Sequence, residues 1–290
     1  MTYQKISIIT PTFNSSRYLE ETLLSVINQN YPNLEYIIID GGSTDDTLDI
    51  IKKYETHLTY WISEPDKGMY YAIQKGFDRC TGDIMAWLNS DDKYFPGALK
   101  LVSEIFSDLG DVNWIQGWPT YLNKDGLCVK ISENQKWSKS RFLIGDYRWI
   151  QQESVFWRRS LWEQAGAKIA CAYKYAGDFE LWYRFFSHSE LYNVSAPLSG
   201  FRLHGTQLSI INKDIYENEA LEILKYYEPA IQDRRTKIIR FFFNWSKTLK
   251  KADLKILKFF ISLLNRLVYK LHKFPAIIIY DFEKNNWMKI

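Results

Sequence analysis

Two adjacent carboxylates, Asp91 and Asp92, directly follow the apolar run at residues 84–88. Such a run indicates a buried strand, so both side chains are expected at the strand's carboxyl end. Mg²⁺ and Mn²⁺ take oxygen ligands from one or two carboxylates and complete their shell with phosphate and water oxygens. The pair therefore indicates a metal-assisted diphosphate site, whereas the alternative is a surface turn or a helix N-cap before Phe95 and Pro96.

Polar side chains also follow the three apolar runs that precede this one. In a parallel α/β sheet, ligands bind beyond the carboxyl ends of the strands, so these side chains are expected to form one site. The set consists of Thr12 and Asn14 after the first run, Asp40 after the second, and Glu64 and Asp66 after the third.

Asp40 precedes Gly41 and Gly42, which let the backbone turn without obstruction by a side chain. A carboxylate at this point is able to accept a hydrogen bond from a nucleobase such as uracil. The alternative is a plain strand-to-helix turn in which Ser43 and Thr44 cap the next helix. The two roles are compatible.

Short apolar runs alternate with amphipathic segments through residue 106. Strands are predicted at residues 6–10, 34–39, 58–62 and 84–88, and helices at residues 17–28, 43–54, 69–80 and 96–106. This alternation predicts a parallel sheet with right-handed crossovers. The predicted fold class is therefore α/β, a Rossmann-like and mostly parallel sheet flanked by helices.

The composition is that of a globular protein, since 46% of the 290 residues are hydrophobic and 24% are charged. The length favours one large domain with a smaller appendage. The three cysteines, Cys80, Cys128 and Cys171, are odd in number and widely spaced, which favours neither a disulfide framework nor a cysteine metal site. The N-terminal apolar run is too short for a signal peptide, so we expect a cytoplasmic protein.

Five segments carry a family resemblance, in the order ISIITPTFN, DGGSTDDT, SEPDKGMYYAIQKG, TGDIMAWLNSDD and AGDFELWYR. Over about residues 5–210 the chain resembles family 2 glycosyltransferases of the GT-A fold. Each segment alone is moderately specific, but five in order with plausible spacing make a strong signal.

The resemblance implies a nucleotide-binding set whose first members bracket the nucleobase. For Lys75, a solvated helix face is the alternative. The implied nucleotide-binding set is Pro11, Phe13, Asn14, Asp40, Asp66, Lys75 and Asp91.

The resemblance also implies a site for Mn²⁺ or Mg²⁺. Asp91 and Asp92 match the family's DxD-type element, with Asp91 nearer the ribose and Asp92 on the metal. Asn89 stands where many members carry an acid, which leaves these two as the acidic ligands. His204 and Arg202 match a loop that approaches the metal or the diphosphate in many relatives, although a lone histidine is more often structural.

Asp178 corresponds to the acid that acts as general base in this family. Gly177 stands where the usual glutamate would be, and Glu180 follows two residues later. If the segment is helical, residues two apart project roughly 200° apart, so only one of these two acids can face the site. Asp178 is favoured, and an ordinary acid at a helix start is the alternative.

Gln152 and Glu153 resemble the segment that lines the acceptor entrance, together with Glu180 and Arg202 on the acceptor or phosphate side. A buried polar turn is the alternative for the first two. Trp149 and Trp157 are candidates for stacking on a sugar ring, with core packing as the alternative.

The charge of the chain is unevenly distributed. Residues 234–273 carry 12 Lys or Arg and one acid, a net charge of +11; since the whole chain carries +3 and residues 274–290 balance, residues 1–233 carry −8. We therefore expect a catalytic domain over residues 1–213 and a helical, basic and aromatic region over residues 214–290.

Apolar residues recur at helical spacing within this basic region, for example at Ile238, Phe241 and Trp245. The pattern is typical of an amphipathic helix at an anionic membrane surface, whereas the alternative is a helical subdomain that packs on the catalytic domain. Nucleic acid is not expected as a partner, because no recognised reading module accompanies the charge. A peripheral position at the inner face of the membrane is expected.

The implied function is inverting, metal-dependent transfer of a sugar, with a UDP-sugar as the expected donor. The acceptor would be a hydroxyl of a sugar or lipid-linked glycan in surface polysaccharide biosynthesis. Two alternatives remain: a non-catalytic module that binds nucleotide sugars or glycans, and a sugar nucleotidyltransferase. Against the latter, no Gly-rich triphosphate loop follows the first strand.

Overall fold

The computed structural model describes residues 3–132, 137–145, 150–205, 207, 211–228, 234–250 and 274–290. Within these ranges the chain forms thirteen strands and nine α-helices. The strands are β1 Ile6–Thr12, β2 Leu34–Asp40, β3 Tyr60–Ser63, β4 Ile84–Trp87, β5 Lys93–Tyr94, β6 Trp114–Gln116, β7 Thr120–Leu122, β8 Cys128–Ile131, β9 Val155–Arg158, β10 Tyr192–Val194, β11 Ser199–Arg202, β12 Ile277–Asp281 and β13 Asn286–Lys289. The helices are α1 Leu19–Ile27, α2 Thr47–Lys53, α3 Met69–Arg79, α4 Ala98–Asp108, α5 Lys139–Leu143, α6 Arg159–Gln164, α7 Gly177–His188, α8 Lys213–Tyr227 and α9 Arg234–Lys250.

Nine strands form the main sheet, in the order β13-β12-β10-β6-β9-β4-β1-β2-β3. Strands β1 to β4 are parallel to one another, as the alternation of strands and helices predicts. β9 runs antiparallel between β4 and β6. All seven residues of β1 are buried, which explains its continuous apolar run. The predicted α/β class with a mostly parallel sheet is confirmed.

Four fully buried tryptophans pack between the sheet and α7. The rings of Trp87 and Trp182 stack with centroids 5.7 Å apart, and Trp157 meets both of them edge to face. Trp114 stacks on Trp182 from the other side. Trp157 has no exposed surface and therefore packs in the core rather than on a sugar ring, whereas Trp149 lies outside the described residues.

A second, four-stranded sheet has the order β5-β11-β7-β8. Its first strand begins directly after Asp92, and its pairing partner β11 ends at Arg202. The antiparallel register sets Gly200 opposite Lys93. This pairing brings the segment after β11 against the carboxyl end of β4, although the two are more than 100 residues apart in sequence.

The C-terminal part of the chain differs from the helical region predicted over residues 214–290. α8 and α9 are helical, but residues 277–289 form β12 and β13 and extend the main sheet beside β10. The Trp287 backbone N–H donates to Asp108 at the end of α4. The end of the chain is therefore part of the main domain. Among the described residues, no helix combines the length and hydropathy that crossing a membrane requires.

Candidate functional site

The loops that follow β1, β2 and β4 are tied together by short hydrogen bonds. The Asn14 backbone N–H donates to Ser43 Oγ over 2.7 Å, and Asn14 Oδ1 accepts the Thr44 N–H over 2.9 Å. Ser90 Oγ donates to Ser15 Oγ over 2.8 Å. Asn14 has a φ of +47°, a conformation that asparagine tolerates better than most residues. These bonds hold the three loops together at the strand ends, where the sequence predicts a site, and Asn14 links the loop after β1 to the loop after β2.

Asp40 is fully buried and holds the turn after β2. Its Oδ2 accepts the Gly42 and Ser43 backbone N–H groups and the Ser63 hydroxyl, and its Oδ1 accepts the Ser43 hydroxyl over 2.5 Å. Both oxygens thus serve the turn. The predicted contact from Asp40 to a nucleobase stays a prediction.

The other predicted nucleotide-side residues differ in exposure. Phe13 is 61% exposed at the end of β1, as a ring that stacks on a base requires, whereas Pro11 is buried within β1. Asp66 approaches the β2 turn so closely that a Cβ on Gly41 would lie 3.2 Å from its Oδ2. Lys75 pairs with Glu64 over 2.8 Å on a half-exposed surface.

The two adjacent aspartates have opposite surroundings. The Asp91 side chain is 30% exposed, and its Oδ2 lies 3.0 Å from His204 Nε2. Asp92 has no exposed surface, and its Oδ1 accepts the Arg202 backbone N–H over 2.9 Å. Among the described residues, Asp92 Oδ2 has no hydrogen-bond partner. The predicted division of roles, with Asp92 on the metal and Asp91 nearer the ribose, stays a prediction. Asp91 is the carboxylate at the surface of the site.

Arg202 is also placed differently from the prediction. Its guanidinium is buried and donates to the Asp91 carbonyl over 2.6 Å, to Glu21 over 2.5 Å and to the Lys124 carbonyl over 3.2 Å. It also lies over the Tyr18 ring. These contacts make Arg202 a structural brace under the acidic pair, and its predicted role on the phosphate side stays a prediction.

His204 follows this brace and packs against the same tyrosine with its ring tilted by 37°. Its ring centroid lies 4.9 Å from that of Tyr18. Gln207 accepts the Gly205 N–H over 2.8 Å and donates to the Arg202 carbonyl. The turn after β11 is thus built to hold the imidazole beside Asp91.

Gln152 and Glu153 lie beneath the acidic pair and not at an exposed acceptor entrance. Gln152 donates to the Trp87 carbonyl over 2.6 Å, and Glu153 is only 2% exposed. Burial, with a contribution from the charge of Asp91, raises the pKa of Glu153 to about 8. Burial and the charges of Asp91 and Glu153 also raise the pKa of Asp92 well above its ordinary value. Glu153 is therefore protonated at neutral pH.

Asp178 lies in the first turn of α7, where the sequence places the general base. Its Oδ1 lies 3.1 Å from the Tyr70 hydroxyl and accepts its neighbour's N–H, that of Phe179, over 2.7 Å. Burial raises the pKa of Asp178 to about 6. The carboxylate is thus ionised at neutral pH and keeps an appreciable proton affinity, as a general base requires.

Glu180, two residues further along α7, forms a buried ion pair. It is 5% exposed and accepts three short hydrogen bonds from Arg184. The Tyr227 hydroxyl of α8 donates to it as well. Its predicted place on the acceptor side, and the expectation that only one of the two acids faces the site, stay predictions.

Gly177 leaves room for the Tyr70 ring. A Cβ at this position would lie 2.8 Å from Tyr70 Cδ2, closer than any real side chain allows. Tyr70 occupies the space of the missing side chain and directs its hydroxyl to Asp178 and to the Tyr175 carbonyl. Tyr70 was not predicted as a site residue. The one signal in the sequence was Gly177, which stands where the family usually has a glutamate and so leaves space for another side chain.

The described residues contain no group of three or more His, Cys, Asp or Glu side chains arranged to hold a metal. They do contain the pair Asp91 and His204, one carboxylate and one imidazole that lie 3.0 Å apart. Such donors fit Mn²⁺, and a Mg²⁺ or Mn²⁺ site commonly combines few protein ligands with substrate phosphates.

Comparison with known proteins identifies the family that this chain resembles. The model of "Glycosyl transferase family 2" matches residues 7–162, which is more than half of the chain. An uncharacterized glycosyltransferase of Rickettsia typhi is 25% identical over 299 residues, which cover 98% of this chain and 81% of the relative. A Bacillus subtilis protein, TuaG, named as a glycosyltransferase of teichuronic acid biosynthesis, is 40% identical over 94 residues, 31% of this chain and 36% of TuaG.

Solved structures share the architecture. TarS of S. aureus in complex with UDP-GlcNAc matches with a TM-score of 0.60 and 20% identity, over 73% of this chain. The match covers 64% of the TarS chain, so this protein spans less than two thirds of it. Mannosyltransferase PcManGT from Pyrobaculum calidifontis, in complex with GDP-Man and Mn²⁺, matches with a TM-score of 0.54 and 15% identity over 92% of this chain and 86% of that chain. At these identities the likeness establishes the fold, and the predicted GT-A fold is confirmed.

Proposed function

Because this chain belongs to glycosyltransferase family 2, we propose that it is an inverting, metal-dependent enzyme that uses a UDP-sugar as donor. The observation that carries the proposal is the division within its two pairs of acids. Asp91 and Asp178 are partly exposed at the site, whereas Asp92 and Glu180 are buried. One exposed acid is suited to the donor's diphosphate side and the other to the acceptor hydroxyl.

Asp178 acts as the general base in a single displacement. It takes the proton of the acceptor hydroxyl while that oxygen attacks the anomeric carbon, and the bond to the diphosphate oxygen breaks with its electron pair. Attack opposite to the leaving group inverts the anomeric configuration. No covalent enzyme intermediate forms, so the reaction needs no Ser or Cys nucleophile.

Asp91 and His204 are the residues that would hold a divalent cation, and Asp92 supports them from below. When bound, the cation neutralises charge on the departing diphosphate. Asp91 offers a carboxylate oxygen, and His204 offers an imidazole nitrogen whose ring Tyr18 keeps in place. Phe13 offers an exposed ring for the nucleobase, beside the turn that Asp40 holds.

The acceptor is proposed to be a sugar or lipid-linked glycan in surface polysaccharide biosynthesis. The name of the Bacillus subtilis relative supports this assignment. The neighbours' complexes with UDP-GlcNAc and with GDP-Man and Mn²⁺ support a nucleotide-sugar donor and a metal.

A thermal-shift panel of UDP-, GDP- and dTDP-sugars with and without MnCl₂ tests the donor and the metal together. A ligand of the native state raises the melting temperature by mass action, so the donor should do so more strongly with Mn²⁺. Release of the nucleotide from that donor should stop with EDTA. Release that continues undiminished in EDTA would remove the metal from the proposal, and tight binding without any turnover would favour a non-catalytic module.

We also propose that α9 binds the cytoplasmic face of an anionic membrane. One face of α9 packs against α5 through Ile239, which is fully buried beside Ile144. The other face exposes Ile238, Phe241 and Trp245, which are 42%, 67% and 49% exposed. Lysine and arginine side chains flank these apolar residues, a combination that binds interfaces of anionic lipid. The rest of the basic segment, residues 251–273, lies outside the described residues.

Co-sedimentation of the full chain with phosphatidylglycerol vesicles tests this surface. Binding should fall several-fold when Phe241 and Trp245 are both replaced by Ser, because these rings would enter the interface. Phe282→Ser is the matched control, since Phe282 is 89% exposed in a different part of the fold. Equal binding by the wild type and the double variant would exclude α9 as the membrane surface.

A further inference from the structure

Three consecutive backbone N–H groups just before α7 converge on one carboxylate of α8. The N–H groups of Lys174, Tyr175 and Ala176 donate to Glu219 over 2.9, 2.9 and 2.8 Å. These donors precede the first turn of α7, where backbone N–H groups have no partner within the helix. Glu219 is partly buried, so each bond is only partly open to competition from water.

The segment that Glu219 holds leads directly into Asp178. Ala176 is the N-cap of α7, and Asp178 is the second residue of that helix. Tyr70 also holds this segment, because its hydroxyl lies 2.8 Å from the Tyr175 carbonyl and 3.1 Å from Asp178 Oδ1. Asp178 therefore directly follows a short backbone segment that both Glu219 and Tyr70 hold in place.

The chemistry of the contact requires a carboxylate. Ionised glutamate offers two acceptor oxygens and no donor, so it can receive three N–H groups at once. Glutamine offers one carbonyl oxygen and an amide that repels further donors. The charge matters as well: burial chiefly raises the pKa of Asp178, and the negative charge of Glu219 adds to the rise.

We propose that Glu219 is a positioning residue of the reaction, which fixes residues 174–176 and thereby the direction and protonation of Asp178. The proposal rests on the proposed role of Asp178 as general base. It makes α8 part of the catalytic apparatus, although no side chain of α8 need touch the substrate.

Two variants of Glu219 separate its geometry from its charge. In Glu219→Gln, kcat should fall about 10- to 100-fold, because small misplacements of a catalytic group cost up to about 100-fold, while the KM for the donor stays within twofold. The acid limb of the kcat profile should also shift to lower pH, since a negative charge near Asp178 is lost. Glu219→Asp keeps that charge, so its acid limb should stay at the wild-type position even if kcat falls.

Tyr227→Phe is the matched control on the same helix. It removes the hydrogen bond that the Tyr227 hydroxyl of α8 donates to Glu180 of α7, on a different residue from the proposed base. We expect a lower melting temperature with an unchanged acid limb. Amide exchange at residues 174–176 should rise in Glu219→Gln and not in the control, which tests the clamp without any substrate.

The outcomes distinguish this inference from the proposed function. If Asp178→Asn keeps full activity, the base itself is wrongly assigned and Glu219 loses its role with it. If Asp178→Asn is inactive but Glu219→Gln keeps the wild-type kcat and acid limb while folded, Glu219 is only a packing contact. If kcat falls in Glu219→Gln but its acid limb lies at the same pH as that of Glu219→Asp, then Glu219 positions Asp178 and its charge has no effect on the protonation of Asp178.

Discussion

The two edges of the site are held in different ways. The donor edge, formed by the loops at residues 13–16, 41–46 and 88–92, is held by bonds among loops of the parallel strands themselves. The acceptor edge, residues 174–178, is held by Glu219 of α8, which lies more than 40 residues further along the chain. The proposed donor edge is therefore held within the sheet, whereas the proposed acceptor edge depends on α8, which lies outside the residues that the family model matches.

Each edge also contains two acids of which one is buried. At the donor edge, Asp92 is enclosed by the pairing of β5 with β11. At the acceptor edge, Glu180 is enclosed by Arg184 and by α8. The contrast teaches that closeness in sequence does not make two acids equivalent; the surroundings of each carboxylate assign its role.

The largest expected effect is at the acceptor edge. Asp178→Asn removes the proposed base and should lower kcat by about 10² to 10⁴-fold, while the donor still raises the melting temperature. Glu180→Gln, the matched neighbour, should instead destabilise the fold and leave kcat of the folded protein within about threefold. Steady-state kinetics and thermal unfolding of both variants check this; an active Asp178→Asn would contradict it.

The donor edge gives the next largest effect. Asp91→Asn should lower the rate of nucleotide release about 100-fold and abolish the extra thermal stabilisation that Mn²⁺ gives to the bound donor, because a charged ligand is lost. Asp92→Asn should keep both, since burial raises the pKa of the Asp92 carboxyl well above its ordinary value, which favours the neutral form, and asparagine has the same shape. The reverse pattern would restore Asp92 as the metal ligand.

A smaller effect is expected where Tyr70 meets α7. Gly177→Ala places a Cβ 2.8 Å from the Tyr70 ring, so the ring or the helix must shift at a cost of about 1–3 kcal/mol. Because the shift displaces the proposed acceptor edge, the variant should have a reduced kcat and retain donor binding. Gly110→Ala is the control, because a Cβ there meets no atom within 4 Å. Chemical unfolding and kcat of the two variants decide the matter.

The last effect is on stability and not on catalysis, and it concerns the buried acid beneath the donor edge. The folded protein raises the pKa of Glu153 from 4.5 to about 8, so between these values it holds a proton that the unfolded chain releases. The free energy of unfolding should therefore fall as pH rises from 5 to 8, by up to about 1.4 kcal/mol per unit from this group. Glu153→Gln should show a correspondingly flatter dependence in urea titrations across that range. Parallel curves for the two proteins would contradict the burial of a neutral Glu153.

Much of the sheet was predictable because its signal is local. The apolar runs at residues 6–10 and 34–39 lie within β1 and β2, the run at residues 84–88 covers β4 and the residue after it, and the polar residues after these runs meet at one edge. β12 and β13 were not predicted, since two short strands at the end of a basic region acquire their partners only when β10 and α4 are in place.

The burial of the candidate site residues was not predictable from the sequence. Asp178 and Asp91 are partly exposed, whereas Asp92, Arg202, Gln152, Glu153 and Glu180 are buried. The roles of Tyr70, inside a family segment, and of Glu219, outside all of them, were not predicted, because hydrogen bonds to the backbone at residues 174–176 can come from many residue types and from any part of the chain.

By itself, the sequence determined the parallel core, the edge at which the site lies and the family to which the chain belongs. Hydrophobic periodicity and the order of the motifs indicate these three features, because both patterns are carried by residues that are neighbours along the chain. Only the tertiary structure decided which acid of each pair is buried and which is partly exposed. That choice follows from the pairing of β5 with β11 and the docking of α8 on α7, contacts between distant segments that bury one carboxylate and leave the other in reach.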